Sequence, residues 1–265
     1  MLEPLPTLRT PIKPPRRHAR GLPASTAFDW LSHGWQDFRH GLAQSLVYGV
    51  MIVALSYLIL WAVAAAGMLY LALPMIAGFL IIGPFFAVGL YEKSRALEAG
   101  EPIGLGRMLV LRGRPLGQLA FAGLMLGMLV LSWIRTADLL YALFFGLTPY
   151  PGAEDALVNV LTTPRGWMLI LTGTATGALF AAFAFALSLF SIPMIVAEKR
   201  DALTALGTSF VMTTQNLAPT MTWGAIVAGG ILLSFLTGLL GLAIVFPILG
   251  HGTWHAYRAI RVVEA

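Results

Sequence analysis

GLAQSLVYGVMIVALSYLILWAVAAAGMLYLALPMIAGFLIIGPFFAVGLY, residues Gly41 to Tyr91, contains no Asp, Glu, Lys, Arg or His. A helix needs about 20 apolar residues to cross a hydrocarbon core about 30 Å thick. This interval therefore holds two crossings, Ser45–Ala66 and Leu69–Tyr91, with a tight turn at Ala66–Gly67. Working outward, similar intervals recur. Pro115–Ile134 is bounded by Arg114 and Arg135, and a fourth span lies within Gly166–Ala197, between Arg165 and Glu198. The stretch Ala202–Tyr257 has no Asp, Glu, Lys or Arg and reads as an approach helix followed by spans at Thr220–Leu236 and Leu239–His255. The expected fold is all-α: a polytopic helical membrane protein with six transmembrane helices. Composition agrees, since 58% of residues are hydrophobic and 11% charged, where a soluble domain carries about 25% charged residues.

The charges give the threading a direction. Of the 17 Lys and Arg residues, all but Arg135 and Arg165 fall on one side of it. Basic residues are retained in cytoplasmic loops, so both termini are expected in the cytoplasm. A net charge of +5 could also suit nucleic acid. Here, however, the cations sit in short loops beside apolar spans, where they meet anionic lipid head groups, and no nucleic-acid-binding motif accompanies them. Residues 1–24 differ from the rest: Pro4, Pro6, Pro11, Pro14, Pro15 and Pro23 stand among basic residues and build no core. They read as a disordered cytoplasmic tail, with Arg16, Arg17 and Arg20 resting on anionic lipid or an acidic partner. Residues 25–265 read as one six-span domain.

The spans pair into three helical hairpins, each preceded by a short cytoplasmic amphipathic helix. Phe28, Leu31, Trp35 and Phe38 share a stripe before the first pair, opposite Asp29, Ser32, Gln36, Asp37 and Arg39, and Thr26 with Asp29 has capping-box spacing. Leu203, Leu206 and Phe210 repeat the stripe before the third pair, after an N-cap at Asp201. Leu105, Met108 and Leu109 give a weaker version before the second. Pro84, Pro193 and Pro247 each lie upstream of a cytoplasmic end. Gly123-x-x-x-Gly127 and Gly173-x-x-x-Gly177 have the spacing that lets membrane helices approach, either inside the chain or at a homo-oligomer seam.

Three segments carry a family resemblance: Gly34-Trp35-Gln36-Asp37-Phe38, Gly83-Pro84-Phe85-Phe86-Ala87-Val88-Gly89-Leu90-Tyr91-Glu92, and Leu249-Gly250-His251-Gly252-Thr253-Trp254-His255-Ala256-Tyr257-Arg258. Over Phe28 to Arg261 the chain resembles a bacterial family of predicted integral membrane proteins, domain of unknown function 2189. The resemblance implies a multi-pass protein of the bacterial inner membrane without an assigned activity. Some relatives carry the label cytochrome c oxidase subunit one. That catalytic subunit needs ligand histidines in mid-membrane, whereas His18, His33, His40, His251 and His255 all fall in the tail, the first interfacial helix or a span end. An accessory role beside such a complex needs no ligands.

No phosphate loop, dinucleotide fingerprint, zinc-protease motif or nucleophile elbow occurs, so no catalytic residue, cofactor or metal site is expected. His251 and His255 share a helix face and could take one metal with Glu92 or Glu198; paired with Trp254 and Tyr257 they read first as an interfacial belt. Glu92, Glu98 and Glu101 read as a solvated helix end. Absence of ionisable groups deep in the spans argues against proton-coupled transport. The leading expectation is a non-catalytic accessory, assembly or interaction subunit of a larger membrane complex. Its partners would be the lipid bilayer and other subunits, with no nucleic acid. The alternatives are a carrier or channel for a small or lipid-like molecule and, more weakly, metal or haem binding through His251 and His255.

Overall fold

A computed structural model describes residues 17–68, 79, 81–109, 115–146 and 153–261. Among the described residues the regular structure is all helical: α1 (Thr26–Arg39), α2 (Leu42–Ala65), α3 (Val88–Glu98), α4 (Leu105–Leu109), α5 (Leu116–Phe145), α6 (Ala153–Thr162), α7 (Pro164–Glu198), α8 (Ala202–Gln215), α9 (Leu217–Leu236) and α10 (Leu242–Ile260). Residues 81–86 are helical as well. Four helices, α2, α5, α7 and α9, are long and apolar enough to cross a membrane, and they coincide with the first, third, fourth and fifth expected spans. Most of the first half of the second span lies outside the described residues. The sixth expected span falls on α10, which is not among these four: His251, Thr253, His255 and Arg258 dilute its apolar run.

Helix ends follow local chemistry. The Asp201 carboxylate accepts the Thr204 amide at 2.9 Å and starts α8, as the sequence predicts. The Thr163 hydroxyl accepts the Gly166 amide at 3.0 Å and, with Pro164 in the first turn, starts α7. The capping box expected at Thr26 and Asp29 does not form: Thr26 is already helical, and Ser25 caps α1 without a side-chain bond. Beyond Ile134, where the expected third span ends, the chain continues as α5. No Gly or Pro interrupts the chain from Leu129 to Phe145, and the helix stops only at Gly146, at φ 77°. At about 1.5 Å per residue, the 30 residues of α5 and 35 of α7 exceed the hydrocarbon thickness, so parts of both lie beyond it.

Burial is concentrated at one end of the bundle. The buried residues of α2 are Ser45, Tyr48, Gly49, Ile52 and Val53, in its first half, and those of α5 are Leu119, Ala122 and Leu126. Almost all of those of α7 lie between Ala184 and Val196, in its last third. This is the end to which α1, α3, α8 and most charged residues belong. The opposite halves of α2, α5 and α7 present Leu58, Trp61, Leu131, Leu143, Leu171 and Leu179 outward.

Two close backbone crossings bring α10 against α1 and α2. A Cβ added at Gly34 would lie 2.5 Å from the Ile248 carbonyl oxygen and 2.7 Å from the Gly252 nitrogen, and one at Gly49 would overlap the Ala243 backbone. Trp30 of α1 meets Trp223 of α9 edge to face at 6.0 Å. The Gly-x-x-x-Gly pairs, by contrast, make no such backbone crossing: Gly127 and Gly173 face open space, Gly123 meets Phe85, and Gly177 receives the Trp133 ring.

The amphipathic stripes sit one residue away from the buried faces. In α1 the buried residues are Ala27, Trp30, Gly34 and Phe38, whereas Phe28 is 59% and Trp35 45% exposed. In α8 they include Ala202, Ala205, Leu206 and Ser209, whereas Leu203 is 63% exposed. Of the expected stripes only Phe38, Met108 and Leu206 are buried. The reason is that apolar side chains gain little by leaving lipid, so small and hydrogen-bonding residues pack inward and bulky ones face out.

Candidate functional site

Where α1, α2, α3 and α10 meet, six polar side chains form one connected network. Asp37 comes from the last turn of α1 and Ser45 from the first turn of α2. Lys93 and Ser94 are adjacent on α3, and His251 and His255 lie one turn apart on α10. Glycines let the backbones come close enough: Gly34 and Gly252 touch where α1 crosses α10, and Gly41, at φ 70°, turns the chain from α1 into α2.

The Lys93 ammonium donates to the Ser45 hydroxyl at 2.6 Å and to the Gly41 carbonyl at 3.1 Å. Ser45 Oγ lies 3.2 Å from His251 Nε2, and Ser94 Oγ lies 2.8 Å from His251 Nδ1. The Ser94 hydroxyl donates to Asp37 Oδ2 at 2.6 Å, and His255 Nε2 meets the same oxygen at 2.9 Å. The two ends set the direction of the chain. An ammonium only donates and a carboxylate only accepts. Ser94 gives its single proton to Asp37, so it must receive one from His251 Nδ1–H. Ser45, already accepting from Lys93, gives its proton to His251 Nε2. Because His251 is fully buried near the Lys93 ammonium, the uncharged ring with its proton on Nδ1 is the form that meets these partners without adding a second buried cation.

His251, Ser45 and Ser94 are fully buried and Lys93 is 1% exposed. Burial lowers the Lys93 pKa to about 8, with the charge of Asp37 pulling the other way. Burial would raise the Asp37 pKa, but the hydrogen bonds from His255 and Ser94 outweigh it and hold the carboxyl below its ordinary value. Breaking one member of such a network leaves a buried partner unsatisfied, at a cost of about 1–3 kcal/mol.

Around this network several other charges are paired. Glu92 is buried and receives Arg95 at 2.9 Å and Arg107 at 3.1 Å, so it is not the solvated helix end the sequence suggests. Glu98 accepts the Trp254 indole N–H at 3.1 Å and pairs with Arg258 at 3.0 Å, and burial pushes its carboxyl up. Glu198 accepts the Tyr257 hydroxyl and pairs with Arg200 at 2.7 Å. The belt reading of His251 and His255 is corrected accordingly: His251 is an interior hydrogen-bonding group. Both of its ring nitrogens are engaged, and Glu92 and Glu198 are committed elsewhere. Among the described residues no group of three or more His, Asp or Glu side chains is placed to hold a metal ion.

A separate cavity of about 70 Å³ lies beside this network, walled by Pro84, Tyr91, Phe185, Leu189, Phe246 and Thr253. Small-molecule pockets have about 300–1,000 Å³, so it holds a few waters at most. Among the described residues no ionisable group other than Tyr91 lines it.

Sequence reasoning found His251 and His255 but not Asp37, Ser45, Lys93 or Ser94 as their partners. One signal was available: the three segments that carry the family resemblance are the ones that meet here, with Lys93 and Ser94 directly following the second. Comparison with known proteins gives one result. The model of the family described as "Predicted integral membrane protein (DUF2189)" matches residues 71–197, which includes the Gly83–Glu92 segment, while the segments at Gly34 and Leu249 lie outside the match. No curated protein matches the chain, and no solved structure does.

Proposed function

We propose that the chain, whose residues 71–197 match the model of the DUF2189 family of predicted integral membrane proteins, is a non-catalytic accessory or assembly subunit of a larger membrane complex. Its six spans are arranged as three hairpins in a bacterial inner membrane, with both termini cytoplasmic. One observation carries the reading. The apolar windows of α2 and α5 are only 17% buried within the chain, against 61% for α7. The chain thus closes its polar groups on one another at one end and leaves long apolar helices uncovered at the other. The order of elements supports the hairpin units, since α1, α4 and α8 directly precede α2, α5 and α9. The exposed Trp61 and Trp167 sit at the outward ends of their spans, where membrane aromatics collect.

The test is mass spectrometry of the native protein drawn from its own membranes in mild detergent. A stoichiometric protein partner surviving purification is the expected result. Recovery of the chain alone, or with lipid only, from several detergents would sink the subunit reading.

A further inference from the structure

At the charged end of the bundle, away from the polar relay, the last turns of α7 and α10 meet α8 and the segment that follows Arg17. The segment is docked, not loose: the His18 amide donates to Gln215 at 3.0 Å, the Arg20 amide donates to Asn216 at 2.9 Å, and Asn216 returns a bond to the His18 carbonyl at 2.8 Å. Between these elements lies a cavity of about 320 Å³ lined by Arg17, His18, Glu198, Arg200, Thr208 and Arg261, among others.

The cations outnumber the groups that would neutralise them. Arg20 serves the C-terminus of α10, donating to the carbonyls of Ile260 at 3.2 Å and Arg261 at 2.5 Å, where helix ends carry partial negative charge. Arg200 is matched by Glu198 at 2.7 Å, and Glu198 also holds the Tyr257 hydroxyl. Among the described residues Glu198 is the one carboxylate in the lining. Arg17 and Arg261 are left without a carboxylate partner among the described residues; Arg261 rests over the Tyr257 ring at 5.9 Å and hydrogen-bonds to the Tyr257 hydroxyl. Burial, together with Arg20, Arg200 and Arg17, holds the His18 pKa below its ordinary value, as expected in a positive field. Nδ1 of His18 is buried without a hydrogen-bond partner among the described residues.

We propose that this cavity is a binding site for a phosphate group, held by Arg17 and Arg261 with Arg200, His18 and Thr208 as further donors. Guanidinium forks match the oxygens of a phosphate in charge and geometry, and the volume admits a phosphate with its ester substituent. The phosphate could belong to an anionic lipid head group, because the cavity lies at the ends of apolar helices, or to a soluble phosphate compound. The site stands independently of the subunit reading above.

The test uses the full-length protein in neutral detergent, with thermal unfolding followed at constant ionic strength. Phosphatidylglycerol, phosphatidylcholine and inorganic phosphate are titrated separately. Stabilisation by phosphatidylglycerol but not phosphatidylcholine is expected, and it identifies a lipid source; stabilisation by inorganic phosphate alone identifies a soluble one. In Arg17→Gln plus Arg261→Gln the effective ligand should bind about tenfold more weakly or worse, as for loss of charge-assisted hydrogen bonds. Arg17→Gln alone, at an exposed residue, keeps the test valid should the double variant fold poorly. No stabilisation by either phosphate source, or equal stabilisation of wild type and Arg17→Gln, overturns the proposal.

Discussion

Gly34 and Gly252 touch where α1 crosses α10, so closely that a Cβ on Gly34 would lie 2.7 Å from the Gly252 nitrogen. The Ile248 carbonyl oxygen is closer still, at 2.5 Å, and neither backbone group can swing aside as a flexible side chain would. Gly34→Ala should therefore push α1 off α10 and cost about 1–3 kcal/mol, the range for overpacking. Thermal unfolding in detergent measures this. Gly127→Ala, which fills open space, is the matched control and should leave the midpoint unchanged or raised. An unchanged midpoint for Gly34→Ala would mean that the two helices are not in this contact.

The relay beside that crossing makes a second prediction. Ser94→Ala removes the group that receives from His251 and donates to Asp37, leaving both buried groups short of a partner. A loss of about 1–3 kcal/mol is expected, and Ser94→Ala with His251→Ala should cost less than the sum of the two single changes. In the wild type, nitrogen NMR should show His251 neutral and protonated on Nδ1. A proton found on Nε2 would contradict the hydrogen-bond direction assigned here.

How much of this was legible in the sequence depends on what the bilayer does to each signal. Long uncharged runs located α2, α5, α7 and α9 because the crossing length is fixed by lipid thickness. The faces of α1 and α8 were misplaced by one residue because an apolar stripe such as Phe28, Leu31 and Trp35 marks the side turned to lipid as readily as the core. The relay was illegible for another reason. Asp37, Ser94 and His251 come from three separate segments, and each reads locally as an ordinary polar residue at a helix end. Their closeness depends on glycines such as Gly34 and Gly252, whose role appears only when two helices are placed together.

Lys93 supplies a pH dependence with a definite sign. Its folded pKa, about 8, lies below the ordinary lysine value, so the folded state gives up this proton more readily than the unfolded chain. Below pH 8 both states hold the proton and the full burial penalty applies. Between pH 8 and the ordinary lysine range the unfolded chain binds more protons, and stability must rise with pH. Compared with Lys93→Met, the wild type should gain stability across that window and run parallel to it below pH 7. Parallel curves throughout would show that Lys93 titrates normally in the folded protein.

The threading itself can be tested on intact cells, because the chain has no cysteine and any introduced thiol is unique. Asn159, on α6, lies on the side that holds only Arg135 and Arg165, whereas Thr204, in the first turn of α8, lies beside Lys199 and Arg200; both are exposed. With the basic side in the cytoplasm, a membrane-impermeant maleimide should label Asn159→Cys from outside. Thr204→Cys should react only after the membrane is opened. Both positions avoid the relay, so neither change should disturb folding. Labelling of Thr204→Cys in sealed cells with protection of Asn159→Cys would invert the orientation and place the basic cavity around Arg17, Arg200 and Arg261 on the outer face. Labelling of both would mean an even number of crossings between them and would remove α7 from the set of spans.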